Sequence, residues 1–222
     1  VTETEQAPRV TRRRVQTRQR MLEAALQVVA ERSLASASIE AVCERAGYTR
    51  GAFYSNFASM DDLLVALFED RAETVLLALR TGLRADPAST GEGSGQRGEQ
   101  EVGAVVSRLL RTLPADRLWY LVLTDVSAQA LRDPRAALVL ADYRASTRRQ
   151  VAEALATALE HLGRRAATSV EALTAAVVAQ FEGSVAQVHL DGHPPAEDER
   201  VGALTALVLG MTVPADPDGA RA

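Results

Sequence analysis

The chain has 222 residues, 47% of them apolar, and a formal net charge of −4. That length can bury one large core or two small ones, and the net charge by itself argues against a polyanionic partner. No run approaches the roughly 20 consecutive apolar residues a membrane helix needs, and the lone Cys43 excludes an intrachain disulfide. The expectation is a chain without a membrane partner or secretory leader, in a reducing, cytoplasmic setting.

Charge is unevenly placed along the chain. Residues 1–60 hold nine arginines and six acids, whereas residues 61–222 hold sixteen arginines and twenty-three acids. Six arginines and no acid fall within residues 9–20, with Arg12, Arg13 and Arg14 adjacent. Such a cluster suits attraction to a phosphate backbone, and equally a solvated tail. Residues 1–13 are expected to form a flexible basic arm.

Taken in chain order, the apolar pattern is helical throughout, and no alternating strand pattern framed by hairpin turns is present. The predicted fold is all-α. Val15, Met21, Leu22, Ala25, Leu26 and Val29 form a stripe at three- and four-residue spacing, predicting a first helix over 14–32. SLASAS breaks the pattern, and Ile39, Val42, Cys43 and Ala46 share one face of a short helix over 38–46 that Gly47 ends. A third helix over 49–55 follows after a tight turn, which is helix-turn-helix grammar. Ser59 with Asp62 resembles a capping pair for a fourth helix running to Arg84, with Leu63, Leu64, Leu67, Phe68, Val75 and Leu79 on one side.

Residues 86–100 are rich in Gly, Ser and Glu and are expected to be a mobile loop. Further helices are predicted over 101–113, 116–131, 134–162, 169–190 and 196–211. Asp133 with Pro134, Thr168 with Glu171, and Pro194 with Pro195 punctuate them. Residues 214–222 are expected to be a flexible tail. His189, Asp191 and His193 form H-x-D-x-H at a predicted helix end, but lack a further ligand in sequence, so a solvated loop is expected rather than a metal site. No cofactor is expected.

The stretch SIEAVCERAGYTRGAFYSNFASMDDLL, Ser38 to Leu64, carries the function. Together with TRQRMLEAALQVVAE before it, this stretch resembles the DNA-binding domain of the TetR family, most closely over Ala46 to Phe57. The residues give physical reasons of their own. Gly47 permits the sharp turn, and Gly51 removes a side chain where a helix must approach DNA closely. Thr49 and Arg50 begin the helix that enters the major groove in such motifs, and an arginine fork can bond guanine O6 and N7 together. Tyr54, one turn beyond Arg50, can offer its hydroxyl to phosphate, or can be a packed aromatic with a solvated hydroxyl. The resemblance supports the first role and implies a backbone contact for Asn56. Ser38 can bond a phosphate at the start of the second helix. Phe53 and Phe57, four apart with Val42 and Ala46 behind them, are expected to be core. Two departures stand out: Met60 replaces the family's usual lysine, and Ser33 or Leu34 and Ala37 replace its usual Gly and Thr, which leaves the second helix's cap open.

The resemblance also implies a three-helix DNA-binding domain over 14–58, then a larger helical effector-binding and dimerisation domain over 59–213. Implied partners are double-stranded operator DNA, a second copy of the chain, and a small hydrophobic or aromatic effector. Phe68, Trp119, Tyr120, Leu123, Tyr143 and Phe181 are the candidate effector liners, with Thr124, Asp125 or Gln180 as polar groups; each can equally be plain core. The stripes Leu173, Val177, Phe181, Val185, Val188 and Val201, Leu204, Leu207, Val208, Met211 are expected to close a dimer interface, or else to complete the protomer's own core. The expected activity is a repressor released by its effector. A regulator without an effector, an activator and a helical enzyme are the rivals, the last opposed by the absence of a nucleophile with its base or a phosphate-cradling loop.

Overall fold

A computed structural model describes residues 7–83 and 95–215. The helices are α1 (Ala7–Arg32), α2 (Ile39–Ala46), α3 (Arg50–Tyr54), α4 (Met60–Leu83), α5 (Gly95–Thr112), α6 (Arg117–Ala130), α7 (Pro134–His161), α8 (Val170–Leu190) and α9 (Glu197–Gly210). Two short strands, β1 (Arg164–Ala166) and β2 (Thr212–Pro214), pair antiparallel. Packing divides the chain into two compact units: Val1–Arg71 with Asp116–Tyr143, and Ala72–Ala115 with Arg144–Ala222. Among the described residues no helix is long and apolar enough to cross a membrane.

In the first unit, α1, α2, α3, the first half of α4 and α6 share one core. Met21, Val28, Val29, Val42, Phe53, Phe57, Leu63, Val122 and Val126 are almost completely buried in it. Short-range rules set most of this arrangement. Ser38 caps α2 by accepting from the Ala41 amide at 3.2 Å, and Thr49 caps α3 by accepting from Ala52 at 3.2 Å. The open cap of α2 is thus closed by Ser38. Gly47 ends α2 in the left-handed region at φ +72°, while the Tyr48 amide donates to the Cys43 carbonyl. Ser33, one of the two positions at which the resemblance led glycine to be expected, takes φ +70° after α1, a conformation that costs a serine about 1 kcal/mol or more. At α4 the expected capping pair forms: Asp62 N–H donates to Ser59 Oγ at 3.1 Å, and the Asp62 carboxylate accepts from Ala58 at 2.9 Å.

Three expectations about this region change. α1 begins at Ala7, so residues 7–13, expected as a flexible arm, continue the helix. Arginine is a good helix former, and extending an existing helix avoids the cost of nucleation. Val15 is exposed, because the inward face of that turn is taken by the buried Thr17. The α1 stripe instead passes through Val28, which the sequence reading omitted.

In the second unit, α5 and α9 pack around Val102, Val106, Leu110, Leu204 and Val208, with Val177 and Phe181 of α8 against them. α5 starts at Gly95, so residues 95–100 are helix rather than mobile loop; residues 86–94 lie outside the described residues. The α8 cap is Ser169, which accepts from Ala172 at 3.1 Å, one residue later than the predicted Thr168. The strand pair was not expected, since three-residue strands are too short to show alternation. Arg164 Nε donates to Thr212 Oγ1 at 2.9 Å, and the Ala215 amide donates to Gly163 O at 2.8 Å, so the chain at 214–215 is tied down rather than a loose tail. Residues 216–222 lie outside the described residues.

Much of the stripes expected at a dimer interface faces inward, with Val188 and Met211 left half-buried. Leu173, Val185, Leu204 and Val208 are buried within the protomer, and Val177, Phe181, Val201 and Leu207 are partly buried against the same core. The outward faces carry small residues instead: Ala172, Ala175, Ala179 and Gly183 on α8, and Gly202, Ala203, Ala206 and Gly210 on α9 are all exposed. The reason is volume: branched side chains fill the space between α5, α8 and α9, which leaves the outward sides to small residues interspersed with Glu171, Gln180, Glu182, Gln187 and the exposed Leu190.

Candidate nucleic-acid interface

α3 is amphipathic over only five residues. Phe53 is fully buried and Phe57, just after the helix, nearly so, which anchors one side in the core. The opposite side presents Thr49, Arg50, Gly51 and Tyr54, all exposed, with Tyr54 52% accessible. The five residues thus offer an edge rather than a packed surface. A Cβ added at Gly51 would meet only Thr49 Oγ1 at 3.7 Å, an ordinary contact, so nothing inside the protein demands glycine there.

Arg50 is not a loose chain. Its Nη1 donates to Glu40 Oε1 at 2.5 Å, its Nη2 lies 3.4 Å from the Tyr54 hydroxyl, and its guanidinium carbon is 6.0 Å from the Tyr54 ring centroid. Glu40 escaped the sequence reading because an acid in the first turn of a helix is ordinarily a dipole partner. Its own backbone amide and the Arg50 charge hold the Glu40 carboxyl below its usual range.

The remaining residues are placed unequally. Ser38 is at the start of α2, its oxygen occupied by the cap. Asn56 is turned back: Nδ2 donates to the Ala52 carbonyl at 2.8 Å, and Oδ1 is buried without a partner. The amide group therefore holds the end of α3. Arg14 Nη2 donates to the Ser55 carbonyl at 3.2 Å, and Arg18 lies over the Phe57 ring at 4.7 Å. These two arginines brace the exit of α3, whereas Arg12 and Arg13 are exposed. At the start of α4, where the resemblance led a lysine to be expected, Met60 packs on the core and is followed by Asp61 and Asp62, which oppose a phosphate.

The described residues match two family models. Residues 21–67 match "Bacterial regulatory proteins, tetR family", and residues 98–213, just over half of the chain, match "BetI-type transcriptional repressor, C-terminal". The chain belongs to the tetR family of transcriptional regulators. Its α1–α3 segment is the family's DNA-binding helix-turn-helix, followed by a larger helical region. Solved structures agree on the fold. The fatty acid degradation regulator FadR from Bacillus halodurans aligns with TM-score 0.65 at 18% identity, over 92% of this chain and 96% of its own. GusR from Salmonella enterica gives 0.63 at 20%, over 87% and 94%. A TetR-like regulator from Rhodococcus sp. RHA1 gives 0.60 at 20%, over 87% and 93%. No curated protein matches the sequence.

Of the candidate effector liners in this tetR-family chain, three form a packed group in the first unit. Phe68, Trp119 and Tyr143 meet edge to face at centroid distances of 4.9, 5.1 and 5.6 Å. Phe68 and Trp119 are buried in the core shared with α3, while Leu123 and Tyr143 are partly buried against it and Tyr120 is half-buried. Arg71 lies over Trp119 at 5.0 Å and pairs with Asp116 at 2.5 Å. Burial alone would raise the Asp116 carboxyl, but the Trp119 amide and the Arg71 guanidinium outweigh it and keep it below its usual range. Phe181 belongs to the core of the second unit.

Asp125, named as a polar pocket group, has another use: it accepts from the Leu34 amide at 2.6 Å, joining α6 to the turn between α1 and α2. Among the described residues no group of three or more His, Cys, Asp or Glu side chains is arranged to hold a metal, and His189 Nε2 donates to the Ala115 carbonyl at 2.9 Å.

Proposed function

We propose that the chain is a repressor that grips a palindromic operator as a homodimer and leaves it when a small hydrophobic or aromatic effector binds. The exposed Thr49–Tyr54 edge, backed by the buried Phe53 and Phe57, carries the reading. Arg50 reads a guanine; Thr49, Gly51 and Tyr54 let the helix settle on the sugar-phosphate wall. Ser38 and the exposed Arg12 and Arg13 add phosphate contacts, and Arg14 and Asn56 hold the reading helix from behind. The match to a BetI-type repressor's C-terminal part supports repression rather than activation.

The division of labour puts DNA binding in residues 14–58 and effector binding with dimerisation in 59–213. The second copy docks on the small-residue faces of α8 and α9, where an added Cβ at Gly183, Gly202 or Gly210 meets nothing within 4 Å. Two reading helices then address half-sites one helical turn of ~34 Å, or a multiple, apart. The effector contacts the Phe68, Trp119 and Tyr143 group from the side of Tyr120 and Leu123. Its binding favours a geometry, passed along α4 and through the Asp125–Leu34 bond, in which both half-sites no longer fit together.

Selection of bound fragments from random duplex DNA tests the whole. Enrichment of an inverted repeat, bound by a dimer in sedimentation and released by a compound found in a thermal-shift screen, is the expected result. Recovery of fragments without shared sequence would defeat it.

A further inference from the structure

The pairing of Glu40 with Arg50 joins two helices of the interface through side chains that no structural need brings together. Both are 59% accessible, and an exposed pair of this kind adds little to stability. An acid in that place is costly for DNA binding, since it stands beside the helix that must approach a polyanion and cancels the charge of its reader. Its position therefore calls for a functional reason.

We infer that Glu40 is a specificity-determining positioning residue, which aims Arg50 at one guanine and denies it to the phosphates. The inference rests on α3 being the reading helix. A free arginine has much rotamer freedom to lose, and on DNA it finds phosphate oxygens at every sequence. Glu40 removes that freedom at one end through Nη1, and the Tyr54 hydroxyl lies 3.4 Å from Nη2 at the other. A guanidinium has five N–H donors in one plane, so a single carboxylate oxygen leaves enough to bond O6 and N7 of a guanine together. With its charge balanced locally, Arg50 adds little to general attraction; it gains only where base acceptors match its fixed fork. Affinity for random DNA is lost and discrimination is gained, as specificity by disfavouring wrong partners requires.

The test compares binding of the full-length chain to a selected operator duplex and to a random-sequence duplex over a range of salt. Glu40→Gln should bind random DNA several-fold more tightly and steepen its salt slope by about 0.9, the share of one added phosphate contact. The operator-to-random ratio should fall about tenfold. Glu40→Asp keeps the charge but falls short of Arg50; it should lower the ratio without tightening random DNA. In an Arg50→Ala background, neither change should lower the ratio further. An equal gain on both duplexes, with the ratio unchanged in Glu40→Gln and Glu40→Asp, would overturn the inference and leave Glu40 a bystander charge. If Arg50→Ala alone leaves the ratio intact, the reading of α3 fails instead, and the two failures are thereby told apart.

Discussion

The two units of this chain teach different lessons about how an amphipathic helix declares its faces. In the first unit, short elements are pinned by local devices: Ser38 and Thr49 cap, Gly47 turns, and Ser59 with Asp62 starts α4. Once those are fixed, a stripe has one place to go, and Val42, Phe53 and Leu63 go there. In the second unit, α8 and the later turns of α9 carry apolar or small residues on more than one side. Inside and outside are then separated by size as well as polarity, with Leu173, Val185, Leu204 and Val208 inward and many Ala and Gly, beside Glu182 and Gln187, outward.

The sharpest way to break this contrast is to truncate an inward residue of α8. Leu173→Ala, at a fully buried position, should lower unfolding stability by about 2–5 kcal/mol in denaturant titration. If Leu173 faced a second copy instead, the loss would depend on protein concentration. In the first unit, Asp125→Ala strips the Leu34 amide of its acceptor and should cost about 1–3 kcal/mol. Its operator release by effector should weaken as well, whereas a variant that loses stability but keeps full release would make the bond a plain tether.

Gly51→Ala is predicted to have opposite signs in two measurements. A helix gains up to about 1 kcal/mol when Gly becomes Ala, and no clash opposes it here, so the melting temperature should hold or rise while operator affinity drops. Equal or better DNA binding would mean that no close approach occurs at that point. The smallest effect is expected at Val15: Val15→Ser should change stability by no more than about 0.5 kcal/mol, because the side chain stands in solvent.

Periodicity alone placed Val15 on the buried stripe, and the structure shows why it failed. At the α1 N-terminus the inward direction is set by what faces it: Thr17 takes the buried position, while Arg14 and Arg18 flank it on the Ser55 carbonyl and the Phe57 ring. The candidate site divides in the same way. Arg50 and Tyr54 were legible because their spacing on a capped helix puts them on one edge, whereas Glu40 lies ten residues earlier on another helix, and no spacing rule links the two. Asn56 shows the converse: its residue type suits a phosphate, yet its amide is used to finish α3.

What the amino-acid order determined by itself is the succession of helices, several of their caps and turns, and the reading helix, since each depends on interactions within about four residues. Tertiary structure alone decided which faces of α8 and α9 look outward, that Phe68 and Trp119 share a core with the DNA-binding helices, and that an acid on α2 restrains the arginine of α3. These depend on which distant segments meet, and the energy of such meetings comes from shape and volume that a linear pattern of apolar residues does not encode.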